Sequence, residues 1–217
     1  MSDFAAARLN MVTSQVRTSD VTDPRIQNAM SDVPRELFVP ETLRAVAYAS
    51  QALPVATGRA LMEPRSFAKL LQAADISRRD VVLVIGAGTG YGTAVLARLA
   101  EAVVALEEDA ALAVQASSNL AKLGVDNAAV VTGKLAQGCP DQGPFDVIFI
   151  DGGVEFLPKT LFDQLKDGGR LAAIMVERSL GKGRIFTRLG ETVSARTVFD
   201  GGAPLLASFT RAREFSF

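Results

Sequence analysis

The chain has 217 residues, 48% of them hydrophobic and 22% charged, enough to bury one large core, and the length favours one domain over two. Its 23 basic and 24 acidic residues give a formal net charge of −1, so there is no basic field for nucleic-acid phosphates or an anionic membrane surface. One cysteine, Cys139, excludes an intrachain disulfide and a multi-cysteine zinc site, and the absence of histidine removes Ser-His-Asp and Cys-His nucleophile activation.

Asp3, Arg8 and Asn10 interrupt the apolar residues at the start, which argues against a secretory signal, and no run approaches the roughly 18 apolar residues of a membrane span. A cytoplasmic protein is expected. Phe4, Leu9, Met11, Val12 and Val16 recur at helical spacing, and a second helical pattern follows Asp23-Pro24. Residues 33–40 place two prolines around an apolar centre and read as a rigid, packed connector. Residues 56–63 read as a loop leading to a helix that starts near Pro64.

Residues 81–85 are wholly apolar and β-branched-rich and run into glycines, as a central parallel strand covered on both faces would. Helix, strand, helix and strand follow over 91–100, 102–106, 110–123 and 128–131. A fourth strand is expected at 145–150, a helix at 157–165 and a fifth strand at 170–176 after the Asp167-Gly168-Gly169 turn. Residues 185–186, 193–199 and 205–210 are β-rich with no helix between them, which predicts an antiparallel finish to a mostly parallel sheet.

The strand entering Gly86-Ala87-Gly88-Thr89-Gly90 lets backbone approach a ligand closely. Glu107, at the end of the next strand about 20 residues on, stands where an acid accepts ribose hydroxyls, with Glu108 beside it. A dinucleotide turn would have glycine where Tyr91 stands, so NAD is the weaker ligand and an NAD-dependent oxidoreductase the weaker reading. Gly90 followed by an aromatic suits a nucleoside carrying a sulfonium. Asp151, before Gly152-Gly153, lies at the carboxyl edge of the sheet, either in a site or in a turn. Cys139 reads as an ordinary loop thiol.

Met11-Val12, Ala29-Met30, the segment 33–40, Tyr48, Leu53-Pro54, Gly58, the segment 85–91, Glu107, Leu123-Gly124, Phe145-Asp146 and the segment 165–169 together resemble the protein-L-isoaspartate O-methyltransferase family up to about residue 176. The resemblance implies a Rossmann-like α/β methyltransferase fold: a mostly parallel seven-stranded sheet with an antiparallel C-terminal finish and an N-terminal helical extension. Within one domain, 1–78 would form the helical and acceptor-loop segment, 79–176 the nucleotide-binding core and 177–217 a β-rich end. It implies S-adenosylmethionine as donor, S-adenosylhomocysteine as product and an isoaspartyl peptide or protein as acceptor. Gly86, Ala87, Gly88, Thr89, Gly90, Tyr91, Glu107, Glu108, Gly133, Lys134 and Asp151 would bind the donor.

The sequence departs from the family pattern at several polar positions. Met62 stands for the family's serine, the proposed active-site hydroxyl, and Ala60 for its threonine. Ser50 and Val84 stand for acids, and Lys134 for the aspartate of a Gly-Asp-Gly turn. Arg65 could clamp an acceptor carboxylate at two points. Two alternatives stay open beside the family activity: a non-catalytic binding module on this fold, and a methyltransferase for another small carboxylate.

Overall fold

The computed structural model describes residues 3–178 and 180–211. Helix α1 (Phe4–Met11) starts on Asp3, whose side chain accepts the Ala6 N–H, and runs on into a wider π turn over Val12–Val16. Helix α2 (Pro24–Asp32) starts on Asp23, with proline in the first turn where no backbone N–H is needed. As the two prolines require, residues 33–40 are no continuous helix but a short 3₁₀ turn at Arg35–Leu37.

The expected loop at 56–63 is corrected. Leu53–Ala56 (β1) and Arg59–Leu61 (β2) pair antiparallel as a small hairpin, turned by Gly58 at φ +69°. With only seven strand residues split by two turn positions, its period-2 signal is too short to stand out. Helix α3 (Pro64–Ala74) begins as expected and buries Phe67, Leu70 and Leu71.

The main sheet contains β3 (Val81–Ile85), β4 (Ala102–Glu107), β5 (Ala128–Thr132), β6 (Phe145–Val154), β7 (Leu165–Glu177), β8 (Leu180–Leu189) and β9 (Thr192–Asp200), in the order β5-β4-β3-β6-β7-β8-β9. Pairing is parallel from β5 across to β7 and antiparallel through β8 and β9, so the mostly parallel sheet with an antiparallel finish is as expected. Helices α4 (Tyr91–Leu96), α5 (Ala110–Lys122) and α6 (Lys159–Asp163) complete the crossovers. Two of these are shorter than the expected 91–100 and 157–165, because turns take over at Ala97 and the Leu157-Pro158 step delays α6.

The expected strand at 205–210 is also corrected. Leu205 makes a single bridge to Gly153, and Ala207–Phe209 is a 3₁₀ turn. Its apolar character reflects burial of Leu206 and Phe209, three residues apart, in the layer on that face of the sheet, not a ladder.

One apolar layer packs Phe67, Leu70, Tyr91 and Phe149 between the sheet and the N-terminal helices, and a second gathers Ile85, Leu106, Ile150, Leu135 and Phe209 on the opposite face. The strand β3 has β4 on one side and β6 on the other, so the order reverses at its carboxyl end. Open α/β sheets gather ligands at that crevice.

Candidate active site

At the switch point β3 turns through Gly86 (φ +82°), Gly88 (φ +55°) and Gly90 (φ +96°) into α4. These left-handed conformations strain any other residue, which explains the glycine spacing. The turn is fixed on all sides: Gly86 and Ala87 donate to the Leu106 carbonyl at 2.9 and 3.1 Å, Thr89 Oγ1 to the Phe38 carbonyl at 2.6 Å, and Asn119 Nδ2 to the Thr89 carbonyl at 3.0 Å.

The three glycines serve different ends. Leu206 lies 3.1 Å from where Gly86 would carry a Cβ, and Gly90 packs on Ala116 of α5 at 3.3 Å. At Gly88 no heavy atom lies within 4 Å of that position. Gly88 is therefore the member of the turn that faces open space, and its N–H is the turn's link to the acid on the next strand.

That acid is Glu107. It is fully buried, and its Oε2 accepts the Gly88 N–H at 2.8 Å while Oε1 accepts the Glu108 and Asp109 N–H groups at 2.9 and 3.1 Å. A residue with no assigned part in the sequence reading completes the cluster. Arg59, on β2, reaches Glu107 Oε1 with Nε at 3.2 Å and Nη2 at 3.1 Å, and the same Nη2 meets Glu108 Oε1 at 2.8 Å. Burial acts to lower the Arg59 pKa, but the carboxylates of Glu108 and Glu107 outweigh it and hold it above its usual value. Burial acts to raise the Glu108 pKa, yet Ser208, whose hydroxyl donates to Oε2 at 2.6 Å, and Arg59 keep it lowered.

Asp151 flanks Gly86 on the other side, since Leu106 and Ile150 are both register partners of Ile85. Its carboxylate lies against Gly92 of α4, and burial pushes its pKa up to about 7, with Arg35 opposing and Glu107 assisting the rise. Arg35 was also missed. It is fully buried, donates from Nε to the Ala47 carbonyl at 2.9 Å and from Nη2 to the Met62 carbonyl at 2.7 Å, and stacks 4.8 Å from the Tyr91 ring centroid. An arginine inside an apolar segment bounded by prolines was the available signal for both its burial and its role as a tie to the 60–65 loop.

The remaining candidates divide. Met62 is 2% exposed and its side chain belongs to the core, so it offers no hydroxyl and no polar group to an acceptor. Tyr91 is placed at the turn, but its ring points inward between Phe38 and Phe67, both at 5.6 Å, and burial raises its pKa. Arg65 is exposed at the start of α3. Gly133 donates to the Glu107 carbonyl at 3.0 Å, and Lys134 is exposed at the head of a 3₁₀ turn over Leu135–Gln137. Cys139 is buried, which raises its thiol pKa, in keeping with an unreactive thiol. It lines a cleft of about 860 Å³ with Lys134, Asp141 and Gln164. Among the described residues no cluster of His, Cys, Asp or Glu could hold a metal ion, and no helix is long and apolar enough to cross a membrane.

With this geometry in place, comparison with known proteins decides the family. Residues 7–190 match the family model described as protein-L-isoaspartate(D-aspartate) O-methyltransferase. The chain belongs to this family of S-adenosylmethionine-dependent methyltransferases. The protein-L-isoaspartate O-methyltransferase of Koribacter versatilis is 41% identical over 171 residues, 79% of this chain and 77% of that protein. That of Syntrophus aciditrophicus is 39% identical over 89% of both. A solved protein-L-isoaspartate O-methyltransferase superposes with a TM-score of 0.79 at 26% identity, covering 90% of this chain and 64% of the other. The fold is shared with a Plasmodium falciparum structure described as a putative member in complex with S-adenosyl-L-homocysteine, at TM-score 0.79, 20% identity and 93% and 98% coverage. The family match ends before the segment that carries Leu206 and Ser208.

Proposed function

We propose that this family member methylates the side-group carboxylate of isoaspartyl residues in peptides or proteins, taking the methyl group from S-adenosylmethionine and releasing S-adenosylhomocysteine. The observation that carries the reading is the open Gly88 edge of the turn joined by its own N–H to the buried Glu107 carboxylate, at the switch point of a sheet of this family. When bound, the donor supplies a methyl group on a sulfonium, an electrophile with a neutral thioether as leaving group.

A carboxylate acceptor is ionised at neutral pH and needs no base, which fits a chain without histidine. The protein's part is then to hold the two reactants in line and keep water out. Backbone from Gly86 to Gly90 would hold the donor, Glu107 its ribose, and Gly133 and Lys134 its base. Arg65, at the solvent edge of the acceptor loop, would meet the incoming carboxylate, and Asp151 would line the reacting side. The balanced net charge of −1 speaks for a peptide acceptor over nucleic acid, and the single cysteine for a cytoplasmic setting.

The buried Met62 supports a second reading, in which the fold binds its ligands without turnover. Calorimetric titration with S-adenosylhomocysteine followed by methyl-ester formation on an isoaspartyl peptide separates the two. Binding and ester formation are expected. Binding without ester would leave the second reading, and ester on a different carboxylate would keep the chemistry and change the acceptor.

A further inference from the structure

The site contains a buried ion pair where a ligand contact is needed. A carboxylate offers about four acceptor positions. At Glu107, Oε1 already takes Arg59 Nη2 and Nε and the Glu108 and Asp109 N–H groups, and Oε2 takes Gly88 N–H with Arg59 Nε again at 3.4 Å. The backbone donors are fixed by the turn and by the strand end. Arg59 is the one donor on a separate element.

We propose that Arg59 sets the donor affinity of this chain: its guanidinium holds the positions on Glu107 that the ribose hydroxyls of a nucleoside donor require, and donor enters as Arg59 withdraws onto Glu108. The proposal rests on the reading of Glu107 as the ribose acid.

Four features make the exchange physically reasonable. Nη2 already bridges Glu107 and Glu108, at 3.1 and 2.8 Å, so the guanidinium can give up one carboxylate while keeping the other. The Glu108 side chain is 30% exposed against none for Glu107, so the retained pair sits closer to water, where a charge costs less. Ser208 fixes Glu108 from the far side, which holds the receiving carboxylate in place. The hairpin that carries Arg59 is anchored at its far end by the buried Leu53 and Leu61, while Gly58, beside Arg59 at the turn, has open space around it, so the side chain can swing without moving the anchor.

The test titrates the full chain with S-adenosylhomocysteine as wild type, Arg59→Lys and Arg59→Gln, with thermal melts in the presence and absence of ligand. Lysine keeps the charge but loses the forked contact, and glutamine keeps one hydrogen-bond donor without the charge. Affinity should rise in the order Arg, Lys, Gln, by at least about tenfold from first to last. The ligand-induced rise in melting temperature should follow the same order. Equal or weaker binding by a folded Arg59→Gln overturns the proposal. Should that variant not fold, unchanged affinity in Arg59→Lys overturns it equally. Tighter binding in Arg59→Gln without ester on an isoaspartyl peptide would keep the Arg59 proposal and remove the acceptor reading. Wild-type turnover with unaltered Arg59→Gln affinity would do the reverse, and no binding by any form would remove both.

Discussion

Around Glu107 the buried charges have all their partners, whereas around Asp151, on the other flank of Gly86, several polar groups have none. Glu107 accepts from Arg59 and three backbone N–H groups. On α4 and the connector packed on it, the elements beside Asp151, Arg35 Nη1, the Tyr91 hydroxyl and Thr93 Oγ1 are buried without a good protein hydrogen bond among the described residues. The Asp151 carboxyl is held up to about pKa 7 by burial. A saturated cluster fixes geometry, and an unsaturated one costs free energy that water or a ligand can recover. The turn thus stands between a corner closed by protein groups and one whose polar groups the protein alone does not pair.

The sharpest way to break this contrast is Glu107→Ala. It strips Arg59 of its buried partner and leaves the Gly88, Glu108 and Asp109 N–H groups unpaired. Removing one member of a buried pair costs about 3–5 kcal/mol, or roughly 10 °C in melting temperature for a chain of this size. Thermal melts should show it. A loss of only a degree or two would mean that the corner is looser than its hydrogen bonds imply.

Asp151→Asn should act in the opposite direction, and increasingly so as pH rises from about 4 to 7. The folded pKa, raised to about 7, lies above the usual carboxylate value of 3.8, so the native state binds the proton more tightly than the unfolded chain. Stability from this group is therefore present at low pH and is lost as pH rises toward 7; above that the ionised, buried carboxylate carries a penalty on the order of 4 kcal/mol. The amide avoids it. Denaturant titration should find the variant ahead by about 2 kcal/mol at pH 5 and by about 4 kcal/mol at pH 8. Equal stability at both values would place the carboxyl in contact with water.

Tyr91→Phe tests the same flank more gently. Deleting a buried hydroxyl that neighbours the Arg35 guanidinium without forming a good hydrogen bond to it, while keeping the ring between Phe38 and Phe67, should raise stability by about 1 kcal/mol. A drop would show that the hydroxyl is bonded, through water, to Arg35 or Asp151.

This contrast also marks what could be read from the residues alone. The apolar run 81–85, the glycine spacing and Glu107 each carry a local signature, and the sheet built on them is the expected one. Arg59 carries none, and Arg35 carries only its place in an apolar segment between prolines, because their partners lie 48 and 27 positions away. An arginine in a short loop-like segment looks solvent-facing until the hairpin turns it inward. The segment 205–210 misled for a related reason: its apolar residues are Leu206 and Phe209 dipping into the second apolar layer at a spacing of three, which a 3₁₀ turn sets and a strand does not.

The smallest expected effect tests whether that edge segment belongs to the settled corner at all. Ser208 lies beyond the residues matched by the family model, yet its hydroxyl reaches Glu108, which in turn shares Arg59 with Glu107. If the segment is part of the cluster, Ser208→Ala should cost about 1 kcal/mol, the usual worth of one hydrogen bond, since Glu108 keeps Arg59 and can turn toward water. Combined with Arg59→Gln, the loss should shrink, because the two contacts act on one carboxylate and neighbouring sites couple. Denaturant titration of the two single variants and the double variant would measure this. Strict additivity would mean that the C-terminal segment rests on Glu108 without helping to hold Arg59, and the corner would then be closed by β2 and β4 alone.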